Sequence, residues 1–106
     1  MLGKLSNLIN SQLSNSGWIT FEEGTLNEIT IQWFVAAVPA GGIISTIPYP
    51  KSFKQGAFQV FGNYDNPGSS MWVLSASPHS NTHCKAASHT LAGSGTPMMR
   101  MWAIGK

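Results

Sequence analysis

The chain has 106 residues, of which 9% are charged, and its formal net charge is +2. That length supports one domain with a modest core, and the charged share is far below the roughly 25% of an ordinary soluble domain. Polarity comes from Ser, Thr, Asn and Gln instead, a profile that suits β-structure held in an assembly rather than a free monomer.

The same numbers remove several classes of function. Lys4, Lys51, Lys54, Lys85, Arg100 and Lys106 are scattered along the chain, so the basic footprint of a nucleic-acid binder is missing and no nucleic-acid partner is expected. No apolar run approaches the ~20 residues of a membrane span, so no membrane insertion is expected. The N-terminus lacks the apolar region and cleavage site of a secretory signal. A single cysteine, Cys84, rules out an internal disulfide framework, and synthesis in a reducing cytosol is the expectation.

Residues 1–15 read as an N-terminal stalk or linker. Leu2, Leu5, Ile9 and Gln12 are spaced three, four and three apart, flanked by Leu8 and Leu13, the a/d rhythm of a short coiled coil. A helical or threaded extended stalk, one amphipathic helix on the domain, and a disordered arm all fit so short a pattern. Asn15-Ser-Gly17 then breaks any helix, so residues 16–106 are expected to form the globular domain.

From Trp18 onward the pattern is one of strands. Trp18–Phe21 is followed by a turn at Glu22-Glu-Gly24, and Glu28–Val35 is rich in β-branched and aromatic residues. A turn at Pro39-Ala-Gly-Gly42 precedes a strand over Ile43–Ile47, and two prolines hold Pro48–Phe53 to an extended, irregular path. Ala57–Tyr64 and Met71–Ser77 form two more strands around the turn Asp65–Ser70, and Cys84–Thr90 forms another. Gly93-Ser-Gly-Thr-Pro97 leads into the last strand-like run, Met98–Lys106, where Gly105 releases the backbone and Lys106 meets solvent. There Met98, Arg100, Trp102 and Ile104 share one face while Met99, Met101 and Ala103 share the other. Both faces are largely apolar, so cover is expected on both, from the core or from a neighbouring subunit. About seven short strands between Gly/Pro turns predict an all-β fold, an antiparallel β-sandwich.

Four segments in this order resemble the C-terminal domain of tailed-phage tail fibres: Ser16-Gly17-Trp18, Ile29-Thr-Ile-Gln-Trp33, Ile47-Pro-Tyr-Pro-Lys-Ser-Phe53 and Trp102-Ala-Ile-Gly105. That family opens on Gly-Trp, continues with an Ile-Gln-Trp strand and a Phe-Pro-like stretch, and closes on Trp-Ile-Ala-Ile-Gly or a near variant. The resemblance spans roughly residues 16–105. Two departures stand out: Ile47-Pro replaces Phe-Pro, and Phe34 follows Ile-Gln-Trp where the family usually has Gly, which predicts a bulge or altered pairing there. The resemblance implies a homotrimeric β-sandwich at the tip of a virion tail fibre. Its partners would be two further copies of itself, the rest of the fibre, and lipopolysaccharide or another polysaccharide of the bacterial surface. The alternative is a trimerisation cap that makes no receptor contact.

Candidate chemistry follows from residue types. Trp18, Trp33, Phe53, Trp102 and Ile104 sit in strand-like apolar contexts, and packing in the core or at a subunit interface is their expected role. Tyr64, Asp65, Asn66, Trp72, His79, Asn81 and His83 place hydroxyl-binding side chains and aromatic planes in and beside two loops, the mixture a sugar needs, although plain turn chemistry selects similar residues. His79, His83 and His89 with Cys84 supply metal-ligating atoms, but Pro78–His83 is not helical and has no carboxylate second shell in sequence, so no metal or cofactor is expected. Glu22, Glu23, Glu28 and Asp65 are the only carboxylates, and nothing sets two of them across a cleft as glycoside hydrolysis requires. No enzymatic activity is expected.

Overall fold

The structure, a computed structural model, describes residues 9–65, 72–90 and 95–106. These residues form eight strands and no helix: β1 (Ile9–Gln12), β2 (Gly17–Phe21), β3 (Ile29–Ala37), β4 (Ser45–Pro48), β5 (Ala57–Tyr64), β6 (Val73–Pro78), β7 (His83–His89) and β8 (Met98–Gly105). Every paired neighbour is antiparallel. The strands make a five-stranded sheet, β1-β2-β3-β8-β5, and a three-stranded sheet, β4-β7-β6. The all-β antiparallel architecture is the expected one, with eight strands rather than about seven.

The last strand in sequence is an interior strand of the larger sheet. It pairs with β3 from Thr30↔Gly105 to Ala37↔Met98, and with β5 from Ala57↔Gly105 to Tyr64↔Met99. Its inward residues Met99, Met101 and Ala103 are essentially inaccessible. They meet Phe34 and Val38, Val60, and the buried Ile47, Cys84 and Ala86 of the opposing sheet. Alternation at period two therefore places one face of β3, β4, β5, β7 and β8 in a shared core, with Leu74 and Ala76 of β6 packed against it.

The Pro48–Phe53 segment closes this core from the side. Tyr49 lies edge-on between Phe34 and Phe53, with ring centroids 6.1 Å and 4.9 Å away. Lys51 N–H donates to Gln32 Oε1 at 2.8 Å, and Gln32 Nε2 donates back to the Lys51 carbonyl at 2.5 Å. This reciprocal pair satisfies a fully buried amide side chain. Tyr49 and Phe53 N–H groups donate to the Thr82 and Asn81 carbonyls, both at 2.9 Å, tying the segment to the β6–β7 turn.

Three expectations need correction. Ile9–Gln12, expected within the stalk, form an edge strand paired to β2 from Ile9↔Phe21 to Gln12↔Trp18. Fewer than two heptads of Ser- and Asn-rich sequence cannot offset the cost of nucleating a helix, whereas a β-edge supplies ready hydrogen-bond partners. Residues 1–8 of the expected stalk lie outside the described residues. Phe34 causes no bulge: its register runs unbroken from Trp33↔Trp102 through Phe34↔Met101, because its ring fills the core that a glycine would leave empty. The irregularity falls between Ala57 and Gln59 of β5 instead. Finally, β4 starts at Ser45, leaving Ile43 and Ile44 exposed ahead of it.

The two ends of β8 are held by different contacts. At the Met98 end, Asp65 N–H donates to the Met98 carbonyl at 3.1 Å; at the Lys106 end, Gln55 and Gly56 N–H donate to the Lys106 carbonyl at 2.7 and 3.0 Å. Gly105 packs so closely on the Gly56 and Ala57 backbone that a Cβ would overlap both. Gly105→Ala is thus expected to destabilise the fold by about 1–3 kcal/mol, read as a lowered urea midpoint with an unchanged slope. An unaltered midpoint would mean this junction is looser than described.

Candidate functional site

The outward face of the five-stranded sheet is apolar and open. Trp33, Trp102 and Phe61 stand side by side in direct register across β3, β8 and β5. Trp102 is 6.2 Å from Trp33 and stacks on Phe61 at 6.3 Å with planes 8° apart, geometries within the favourable range for aromatic pairs. Trp102 and Phe61 are nonetheless 44% and 46% exposed. Ile19, Ile29, Ile31, Val35 and Ile104 share this face and are each half-buried. Of the five residues expected in core or interface, Phe53 is in the core. Trp18 is half-buried beneath the Lys51 ammonium, which sits 3.8 Å above its ring. Trp33, Ile104 and Trp102 belong to the outward face, so among the described residues β8 is covered on one side, not two.

The expected sugar-contacting residues do not converge. Tyr64, Asp65 and Trp72 lie at the Met98 end. His79, Asn81 and His83 lie at the Lys106 end, where Asn81 Nδ2 donates to the Lys54 carbonyl at 3.2 Å. The eight residues of β8, ~25 Å of strand, separate the two groups. Asn66 lies outside the described residues. Asp65 is paired with Arg100, whose Nε donates to its carboxylate. Trp72 is half-buried rather than presented to solvent: its ring lies 5.8 Å from Tyr64 and packs on the core. A turn-adjacent tryptophan looked exposed in sequence because the apolar neighbours that cover it come from β5 and the approach to β8.

No three of His, Cys, Asp and Glu come together among the described residues. His79 and His83 share a turn, where His79 N–H donates to the His83 carbonyl at 3.3 Å. His83 Nδ1 is 2.7 Å from the Thr82 hydroxyl, and His89 is at the far end of β7. The Cys84 thiol is inaccessible and burial pushes its pKa to about 11, so it stays protonated at neutral pH. A cleft of about 480 Å³ between β3 and β4 is walled by Phe34, Ala36, Ile47 and Tyr49 with no charged side chain.

A pair that sequence reading did not anticipate sits at the Lys106 end. Glu28 is buried, accepts the Gly24 N–H at 2.7 Å, and pairs with the Lys54 ammonium at 2.8 Å. The Gly24 hydrogen bond first, and Lys54 second, hold its carboxyl below the usual range against the opposing effect of burial. It pins the β2–β3 turn to the segment before β5.

This two-sheet arrangement matches the fold of solved fibre proteins. The R1-type pyocin tail fibre, N-truncated, superposes with a TM-score of 0.74 at 20% identity, covering 99% of this chain and 95% of that one. The N-truncated R2-type pyocin tail fibre gives 0.77 at 15% identity over 92% of this chain, and a P. aeruginosa R1 pyocin fibre fragment gives 0.73 at 20% identity. The chain spans 37% and 28% of the length of those two. No family model and no curated protein matches the sequence. The chain thus has the fold found in phage-like tail fibres.

A folded carboxyl pKa below the unfolded value stabilises the protein above the ordinary glutamate value of about 4.3 and loses that contribution as pH falls through the folded value. Glu28→Gln is therefore expected to lower the unfolding midpoint at pH 7 and to reduce the further loss between pH 5 and 3. Parallel melting curves for the two proteins over that window would show that Glu28 is not coupled to folding.

Proposed function

We propose that the chain is a phage or prophage tail-fibre domain that assembles as a homotrimer and binds a glycan of the bacterial surface during adsorption. The observation that carries this reading is the open aromatic row Trp33-Trp102-Phe61 on a sheet whose fold is that of tail fibres. A contiguous apolar sheet face left in water favours association, and a closed three-fold assembly covers all copies of it. Three weak glycan sites on one rigid tip then gain avidity through effective concentration alone. A cap that only registers the fibre would need the same face, and differs in making no contact with cells.

The strand direction supports a polarity for the tip. Ile9 pairs with Phe21, and Phe21 with Ile29, next to the Thr30↔Gly105 pair. Whatever precedes Ile9 therefore arrives at the Lys106 end, and the Met98 end, with Tyr64 and Asp65, is the one pointing away from it.

Trp102→Glu is expected to leave a folded β-protein by circular dichroism while converting the trimer to a monomer by light scattering. A trimeric Trp102→Glu variant would contradict the use of this face. For receptor contact, the labelled domain is tested for adsorption to a panel of bacterial strains by flow cytometry. Tyr64→Phe with Asp65→Asn is expected to lower adsorption about tenfold, a loss of about 1.4 kcal/mol, while alanines at His79, Asn81 and His83 leave it unchanged. Loss confined to the second set would move the site to the other end. Adsorption by no strain would favour the cap.

A further inference from the structure

The outward face of the three-stranded sheet carries a groove that neither the core nor the aromatic face uses. Cys84, Ala86 and Ser88 of β7 point into the core, so His83, Lys85, Ala87 and His89 point outward by alternation. Their partners in register on that face are Pro48 and Thr46 of β4 and Ser77, Ser75 and Val73 of β6. Between these strands lies a groove of about 250 Å³, lined by Ile44, Ser75, Ser77, Lys85 and Ala87. Its lining is otherwise small, Ala and Ser on adjacent strands with Ala76 and Ala86 included, and Ile44 and Lys85 are its two long side chains.

The charge around it has one sign. Strands β4, β6 and β7 contain no Asp or Glu. Glu22, Glu23 and Glu28 lie between the end of β2 and the start of β3, and Asp65 follows β5 in its pair with Arg100. Lys85 is exposed and has no ion-pair partner among the described residues. An unpaired ammonium over a floor of Ala and Ser, with two hydroxyls within one strand, suits a ligand that is anionic at one point and a polyol elsewhere.

We propose that this groove seats one acidic sugar residue, phosphorylated or uronic, of the bacterial surface polysaccharide. The C–H face of the ring rests on Ala87 and Ile44, the Ser75 and Ser77 hydroxyls pair with ring hydroxyls, and the Lys85 ammonium meets the phosphate or carboxylate. The volume is below the ~300–1,000 Å³ of pockets that engulf a drug-sized ligand, so it fits a single residue of a chain that continues in solvent. Each site is weak alone and gains from repetition in the trimer. This inference rests on the glycan-binding reading and adds a lateral subsite to the tip loops.

The test uses glucose 1-phosphate, glucuronate and neutral glucose as probes, titrated into the ¹⁵N-labelled protein and its Lys85→Gln variant. Lys85 is exposed, so that variant retains the fold. Saturable amide shifts at Ser75, Ser77 and Ala87 are expected with an acidic sugar and not with glucose, and the stronger of the two acids tells phosphate from carboxylate. Lys85→Gln is expected to weaken the acidic ligand by about tenfold, the order expected for losing a charge-assisted hydrogen bond. Equal shifts with glucose, no shift with either acid, or undiminished binding by Lys85→Gln would overturn the proposal. Adsorption to cells separates the two readings: a wild-type protein that adsorbs, with Lys85→Gln adsorbing equally well, removes the groove and leaves glycan binding standing. A wild-type protein that adsorbs to no strain and shifts with no sugar removes both.

Discussion

Strand β8 has hydrogen-bonded neighbours on both edges and apolar side chains on both faces, so four surfaces have to be satisfied at once. β3 and β5 satisfy the edges. The three-stranded sheet and the Pro48–Phe53 segment cover Met99, Met101 and Ala103. On the fourth surface, where Trp102 stands between Trp33 and Phe61, the described residues leave Trp102 and Phe61 exposed, and only the Ser14 carbonyl reaches Trp33, by accepting its indole N–H at 2.7 Å. Among the described residues, three short strands and one irregular segment cover one side of the five-stranded sheet. An apolar sheet face with so few charges favours a second layer from another molecule, which is the basis of the proposed assembly.

Much of the fold was legible because its signals are local. Ala57–Tyr64 is a strand at its expected bounds and the closing run from Met98 is a strand through Gly105, since both are rich in aromatic, β-branched or Met residues and begin just after Gly or Pro. The prolines around Tyr49 correctly predicted an irregular path, and the closing Trp-Ala-Ile-Gly needs its glycine for close backbone approach at Gly56. In the N-terminal segment, Ile9–Gln12 follow the extended alternative rather than the helical one, since Leu and Ile three and four apart also occur by chance in so short a run. Its strand character comes from the free edge of β2, a tertiary fact. Phe34 shows the same limit: family pattern pointed to a bulge, and the size of the core decided otherwise.

The candidate site was less legible than the fold. Tyr64, Asp65, His79, Asn81 and His83 have the chemistry of sugar contacts, but residue type carries no information about which end of a strand a loop occupies, and β8 holds the two groups apart. Trp72 illustrates the cost of reading exposure from a neighbouring turn. Lys85, Ser75, Ser77 and Ala87 drew no notice in sequence because each is unremarkable alone. Only the β6–β7 register, Ser75↔Ala87 and Ser77↔Lys85, makes them one surface, and only the placement of all four carboxylates elsewhere gives that surface its charge.

The central claim is that the outward face of the five-stranded sheet is an interface between copies of this chain. Light scattering on the unmodified protein, eluting from a sizing column at tens of micromolar, tests it most directly. The account predicts a single species at three times the 11.4 kDa chain mass, stable on dilution. A species at the chain mass would contradict it, leaving Trp33, Trp102 and Phe61 as an apolar surface whose cover comes from a different partner.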